Sequence, residues 1–270
     1  MEEQIIEKNK KYWDDHADLW FGTTALPKYG VKFATEDELH FFSEVEGKKV
    51  LEICCGSGHS LKYLADKGAE ELWGLDLSQK QLDNAGKLLK ESGCNPKLIC
   101  APMEADSDIP QDYFDYVYSI YGIGWTTDLE GTFKKAASYL KSGGYFIFSW
   151  GHPLHYCVAK SYETGEDVVD NGALVFSRSY FDESYLKMPV HDTTVIFANR
   201  KISTFVNALY DAGFIIEKMI EQTDEKSLAD TEDNSPKAQK AKMVPLSMCF
   251  KCRKLYLSDR HWASATLESS

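Results

Sequence analysis

Between Lys49 and Trp150, short apolar runs alternate with stretches of helical periodicity. Residues 49–53, 71–75, 97–100, 113–120 and 145–150 read as strands one to five. Residues 58–67, closed by Gly68, and 78–92, capped by Ser78 and stopped by Gly93, read as helices. Residues 129–140 form a third, ended by Lys141-Ser142-Gly143-Gly144. Strands alternating with helices predict an α/β domain with a mostly parallel sheet wound on both faces.

The flanks read differently. Residues 3–19 carry Ile5, Ile6, Tyr12, Trp13 and Ala17 at mixed helical spacing, which predicts an amphipathic helix, and 21–32 read as a loop. Thr35 opens a short helix, with Glu38 as its capping-box partner and Leu39, Phe41, Phe42 and Val45 as its apolar side. After Trp150 the rhythm breaks, and 152–199 hold no clear helix. Residues 174–181 and 185–197 are expected to pair as a β-hairpin around Asp182-Glu183-Ser184. Residues 201–212 resume as a helix with Ile202, Phe205, Val206 and Leu209 on one face, followed by strand six at 214–220. The charged stretch 223–242 reads as a mobile connection, and 243–257 as the last strand. The organisation expected is an N-terminal helix and loop (1–34), one α/β domain (35–257) with an insertion (152–199), and a tail (258–270).

Composition narrows the partners. The chain has 270 residues, a formal net charge of −12 and 43% hydrophobic residues; its pI is near 5.1. So acidic a surface repels phosphate backbones, so a nucleic-acid partner is not expected. No secretory pattern opens the sequence and no apolar run is long enough to span a bilayer, which reads as cytoplasmic with no membrane partner. The seven cysteines are odd in number and scattered, which suits reduced thiols. Cys249 and Cys252 are spaced as a C-x-x-C pair but lie in an expected strand, on opposite faces, with no second pair beside them.

The chemistry concentrates in Val50-Leu51-Glu52-Ile53-Cys54-Cys55-Gly56-Ser57-Gly58-His59-Ser60. A strand ending in a carboxylate turns on two glycines into a helix. A dinucleotide site wants a third glycine where this chain has Leu61. Asp76 ends strand two twenty residues after Gly56, where an acid accepts hydrogen bonds from ribose hydroxyls. The segment 50–60 resembles motif I of the class I S-adenosylmethionine-dependent methyltransferases, with Cys54 at the first glycine position. Gly74-Leu75-Asp76-Leu77-Ser78 and Phe114-Asp115-Tyr116-Val117 are similar to further motifs of that family, as is Tyr12-Trp13-Asp14-Asp15-His16-Ala17-Asp18-Leu19-Trp20 to its N-terminal lid. The resemblance covers about residues 11–254 and implies a Rossmann-like seven-stranded sheet with its last strand antiparallel.

It also implies roles. S-adenosyl-L-methionine is the cofactor, and its ligands are Trp13, Trp20, Glu52, Cys54, Gly56, Gly58, Asp76, Leu77, Met103, Glu104, Ser119 and Ile120. Glu52 and Asp76 are expected to grip opposite ends of one ligand. Pro102 stands where the family often has an acid. Tyr121, Trp125, Trp150, His152 and Arg200 are expected around a small-molecule acceptor, methylated on O or N by in-line displacement. Core packing is an equal reading of Trp125. Ser149-Trp150-Gly151-His152-Pro153-Leu154 resembles a small-molecule subset carrying His-Pro-Leu after strand five. His152 is expected at the active-site edge, as a base if the acceptor is a hydroxyl; an amine need not have one. No third ligand joins His152 and His155, so no metal is expected. Tyr156, Tyr162, Phe176, Tyr180, Phe181 and Tyr185 of the insertion are expected in the acceptor wall, and Arg178, Lys187 and Arg200 offer a local basic pocket. A monomer or homodimer is expected. Two other readings share the glycine turn: an NAD(P)-dependent oxidoreductase, opposed by Leu61, Glu52 and the lack of a Tyr-x-x-x-Lys motif, and a noncatalytic ligand sensor.

Overall fold

The computed structural model describes residues 1–161, 165–190 and 193–256. Tyr162, Leu257 and the expected tail lie outside them. The chain opens with α1 (Glu2–Asp15) and α2 (Glu36–Leu39), the latter with the expected Thr35–Glu38 capping box. The alternating unit follows: β1 (Lys49–Ile53), α3 (His59–Asp66), β2 (Glu71–Asp76), α4 (Gln79–Glu91), β3 (Lys97–Cys100), β4 (Phe114–Ile120), α5 (Leu129–Tyr139) and β5 (Leu140–Gly151). The insertion carries β6 (Val169–Asp170), β7 (Ala173–Leu174), β8 (Tyr185–Val190) and β9 (Thr193–Ala198). Then come α6 (Ile202–Asp211), β10 (Phe214–Ile220), α7 (Glu225–Ala229), α8 (Pro236–Ala241) and β11 (Ser247–Lys254).

One seven-stranded sheet has the order β10-β11-β5-β4-β1-β2-β3, and β11 runs antiparallel to both neighbours. The chain winds outward from β1 in one direction and then returns to β4 on its other side. Between β1 and β4 the connections diverge, leaving a crevice at the carboxyl ends of the strands, where open α/β sheets bind ligands.

Side-chain alternation sorts the strands between two cores. Leu51 and Ile53 join Val117, Phe146, Phe148 and Phe250 on the α5–α6 face. Val50 joins Leu61, Leu64, Leu82, Leu89 and Tyr118 on the α3–α4 face. Phe148 and Phe250 are fully buried and stack at 5.0 Å; burying each such ring is worth about 1.5–3 kcal/mol. Glu52 has the same parity as Val50 and therefore points under α3.

Two expectations need correction. The hairpin exists, but its strands are β8 and β9, paired from Tyr185↔Ala198 to Val190↔Thr193, both beyond Asp182-Glu183-Ser184. Asp182-Glu183-Ser184 forms a loop before it. Arg178 Nη2 donates to the carbonyls of Asp182 and Ser184 and to the Ser184 hydroxyl, while Glu183 accepts from Lys201 N–H and Thr204 Oγ1 at the start of α6. The stretch 223–242 is built into the fold through α7 and α8. Lys240 is fully buried and bonds the Asp167 carboxylate at 2.6 Å, which also takes Lys160 at 2.8 Å. Its charge signalled solvent because the partner acid lies far away in sequence.

Candidate functional site

The crevice holds a cavity with about 950 Å³ of empty space, its mouth included. Its floor is the turn after β1. Cys54 adopts a left-handed conformation (φ 60°), as do Gly56 (φ 50°) and Tyr121 (φ 57°) at the tip of β4. Gly122 packs so tightly against the first of these that an added Cβ would lie 2.4 Å from Cys54 Cβ. Unfavourable backbone conformations at two adjoining strand tips mark a constrained ligand-facing edge. Gly58 (φ 77°) serves helix packing instead. A Cβ there would meet Ala85 at 2.9 Å, so its absence lets α3 and α4 approach.

Asp76 organises one wall. Its carboxylate accepts Gly56 N–H at 2.8 Å and Ser78 N–H at 2.9 Å, which ties the β1 turn to the start of α4. Burial raises its pKa to about 6 against the lowering effect of those bonds. Two oxygens offer about four acceptor positions, so some remain for hydroxyl donors. Beside it, the buried Gln81 Oε1 lines the cavity without a hydrogen-bond partner. An unpaired buried acceptor is costly and calls for a ligand donor.

The roof is α1. Asn9 pairs edge-on with the β9 backbone, donating to Ile196 O at 2.7 Å and accepting from Ile196 N–H at 3.0 Å. On the other flank Asp14 accepts the Ser78 hydroxyl at 2.6 Å, and Asp18 accepts from Asn84 at 2.9 Å. The helix thus straps α4 to the hairpin and carries Trp13 into the cavity wall, and the turn after it brings Trp20. Trp13 meets Trp125 edge-on at 5.4 Å, and Trp125 meets Trp150 and Phe197 at 5.3 and 5.5 Å. Gly22 N–H donates to Ser57 Oγ, bringing the following loop, Thr23 to Ala25, over α3.

Of the expected cofactor ligands, Trp13, Trp20, Cys54, Gly56, Asp76, Leu77, Met103, Glu104 and Ile120 line this cavity, as do Tyr121 and Trp125 of the acceptor set. The others lie outside its lining. Glu52 is 2% exposed and bonds the Tyr118 hydroxyl, Ser60 and Leu61 N–H at the start of α3. Burial pushes its pKa well above the usual range. The expected two-carboxylate grip is therefore replaced by one carboxylate in the wall and one holding α3 from beneath. Ser119 is fully buried beneath Gly122, and Trp150 backs Trp125.

His152 also departs from expectation. Its Nδ1 accepts Leu154 N–H at 3.2 Å and its Nε2 faces Glu221 at 3.4 Å, on the β10 side. Burial lowers its pKa although Glu221 opposes the shift. Arg200 donates to Thr126 O at 2.7 Å and stands behind the wall. Sequence reasoning missed Ile6, Asn9, Thr23, Ser57, His59 and Gln81 in the lining. Gln81 follows the Ser78 cap by three residues, a spacing that puts it on the first turn of α4, and was the one with a readable signal.

Comparison with known proteins agrees with this geometry. Residues 50–144 match a family model described as a methyltransferase domain. An uncharacterized protein of Haemophilus influenzae is 28% identical over 71% of this chain and 75% of its own length. A ubiquinone biosynthesis O-methyltransferase of Idiomarina loihiensis is 33% identical over 38% of this chain, which spans only 42% of that relative. A solved structure from Listeria monocytogenes, assigned as an S-adenosylmethionine dependent methyltransferase, superposes with a TM-score of 0.64 at 25% identity, covering 82% of this chain and 96% of that one. The matched domain, the seven-stranded sheet and these relatives support an S-adenosylmethionine-dependent methyltransferase. Its cofactor is S-adenosyl-L-methionine, and the free acceptor positions of Asp76 and Gln81 suit that cofactor's hydroxyl and amino donors.

Proposed function

We propose that the chain transfers a methyl group from S-adenosyl-L-methionine to a small-molecule acceptor inside the cavity beneath α1. The observation that carries the reading is the Asp76 wall: a buried carboxylate, fixed by Gly56 and Ser78 N–H groups and beside the unpartnered Gln81 Oε1, at the β1/β4 crevice. The sulfonium supplies an activated methyl group, so the protein need build no covalent intermediate. Asp76 and Gln81 accept the ribose and adenine donors, and Met103 supplies an apolar face for the ring. Trp13, Tyr121 and Trp125 present aromatic surface, which favours a cation by about 0.5–2 kcal/mol. Alignment of reactants supplies the larger effect, roughly 7–11 kcal/mol in well-oriented cases. The α1 strap excludes water.

His152, Trp150 and Arg200 act in this reading by supporting the acceptor wall from behind, and Glu52 by seating α3. A small acceptor fits an enclosed cavity better than a polymer does, and the acidic surface argues against nucleic acid. Titration calorimetry with S-adenosylhomocysteine tests the proposal. Micromolar binding that Asp76→Ala abolishes is expected; no heat from the folded wild-type protein would refute it.

A further inference from the structure

Resting on the methyl-transfer reading, we infer that the acceptor is an amine carried on an apolar or aromatic body, and that Glu104 receives its nitrogen end. Three observations converge. The cavity lining contains two carboxylates, Asp76 and Glu104, and among its described residues no lysine or arginine. His59, the remaining ionisable base there, is held toward its neutral form by burial and by Lys62. An anionic acceptor would meet negative charge on the wall and a net −12 outside it.

The second observation is how the polar groups around the cavity are engaged. His59 Nδ1 is paired with Ser57 Oγ at 3.1 Å, and its ring packs edge-on against Phe21. His152 has both ring nitrogens engaged away from the cavity. Asn9 spends its amide on Ile196. Tyr121 directs its hydroxyl toward Ser247, and burial raises its pKa. An alcohol needs a base to become a competent nucleophile; an amine brings its own lone pair once deprotonated.

The third is the position of Glu104. One oxygen accepts Thr127 N–H at 2.5 Å and Thr127 Oγ1 at 3.2 Å, just beyond Trp125. The Thr127 bonds hold Glu104 in the lining beside the turn that carries Trp125. Only one of its two oxygens is occupied by those bonds, and Trp13 and Trp125 flank the same cavity. A carboxylate beside aromatic faces is a site for a protonated amine, whose proton passes to solvent water before attack. The nitrogen lone pair then forms the N–C bond as the C–S bond breaks with its electrons passing to sulfur, leaving the neutral thioether. The proton of the product ammonium leaves to Glu104 or water.

The test uses the protein saturated with S-adenosylhomocysteine and three probes of one shape: phenethylamine, phenethyl alcohol and phenylacetate. Calorimetry is expected to show phenethylamine binding about tenfold tighter than phenylacetate, with an advantage that shrinks in high salt. Glu104→Gln, which keeps an acceptor for Thr127, should weaken phenethylamine several-fold more than it weakens S-adenosylhomocysteine. Tyramine carries both nucleophiles, and mass spectrometry after incubation with the methyl donor should find the label on nitrogen. Label on the phenolic oxygen, equal or reversed affinities, or an indifferent Glu104→Gln would overturn the inference. Failure of S-adenosylhomocysteine itself to bind would instead refute the methyl-transfer reading beneath it.

Discussion

Asp76 and Glu52 are carboxylates on neighbouring strands with opposite duties, and each makes a prediction. Burial raises Asp76 to about 6, above its unfolded value near 3.9. A raised carboxylate favours the folded state fully below the unfolded value, and that contribution is lost as pH rises through about 6. Ligand binding runs the other way, because ribose hydroxyls donate to the ionised form. The affinity for S-adenosylhomocysteine should therefore fall about tenfold per unit below pH 6 and level off above pH 7; calorimetry across that range reads it, and a flat profile contradicts the assignment. Glu52 bonds Ser60 and Leu61 N–H, not the cavity. Glu52→Gln is expected to change that affinity less than about threefold while costing about 1 kcal/mol of stability through one lost acceptor. A contact with the ligand would give a far larger loss of affinity. The strand-end position of Glu52 was legible, but its direction was set by parity with Val50, which sequence reading overlooked.

The elements were legible where local pattern and tertiary demand agree. Strands at 49–53, 97–100 and 214–220 have the extents their apolar runs implied. The turn of the hairpin was not, because Asp182-Glu183-Ser184 has turn chemistry but spends it on Arg178 and on the α6 start. Nor was the stretch 223–242, whose buried cation only a distant acid explains. The same long-range logic governs α1, whose hold on the hairpin was invisible in its sequence. Asn9→Ala leaves the Ile196 N–H and C=O unpaired and should destabilise by about 1–3 kcal/mol. Hydrogen exchange should show the amides of β9 opening earlier, with β1 to β4 unaffected; uniform loosening would mean that Asn9 supports the whole fold rather than the strap.

At the scale of the molecule, the insertion and the α7–α8 segment are joined by one buried carboxylate. Asp167→Asn leaves Lys240 charged and buried without its counter-ion, and removing one partner of a buried pair costs about 3–5 kcal/mol. Thermal or denaturant unfolding reads this directly. Lys160→Ala is expected to cost under about 1 kcal/mol, since that lysine is half-exposed. The alternation of strands and helices was legible in the rhythm of the chain and the antiparallel last strand in the family resemblance, whereas the contents of the cavity depended on which residues the returning segments brought to it.

The aromatic junction at Trp125 has an optical consequence. Trp13, Trp20, Trp125 and Trp150 are four of the six tryptophans in the chain, and successive rings stand 5.3 to 6.0 Å apart. Light absorbed by any of them is shared with its neighbours, so a molecule entering beside one alters the emission of the group. The protein carries its own dye at the place where lid, hairpin and sheet converge, and stopped-flow emission traces can time the arrival of each reactant without a label.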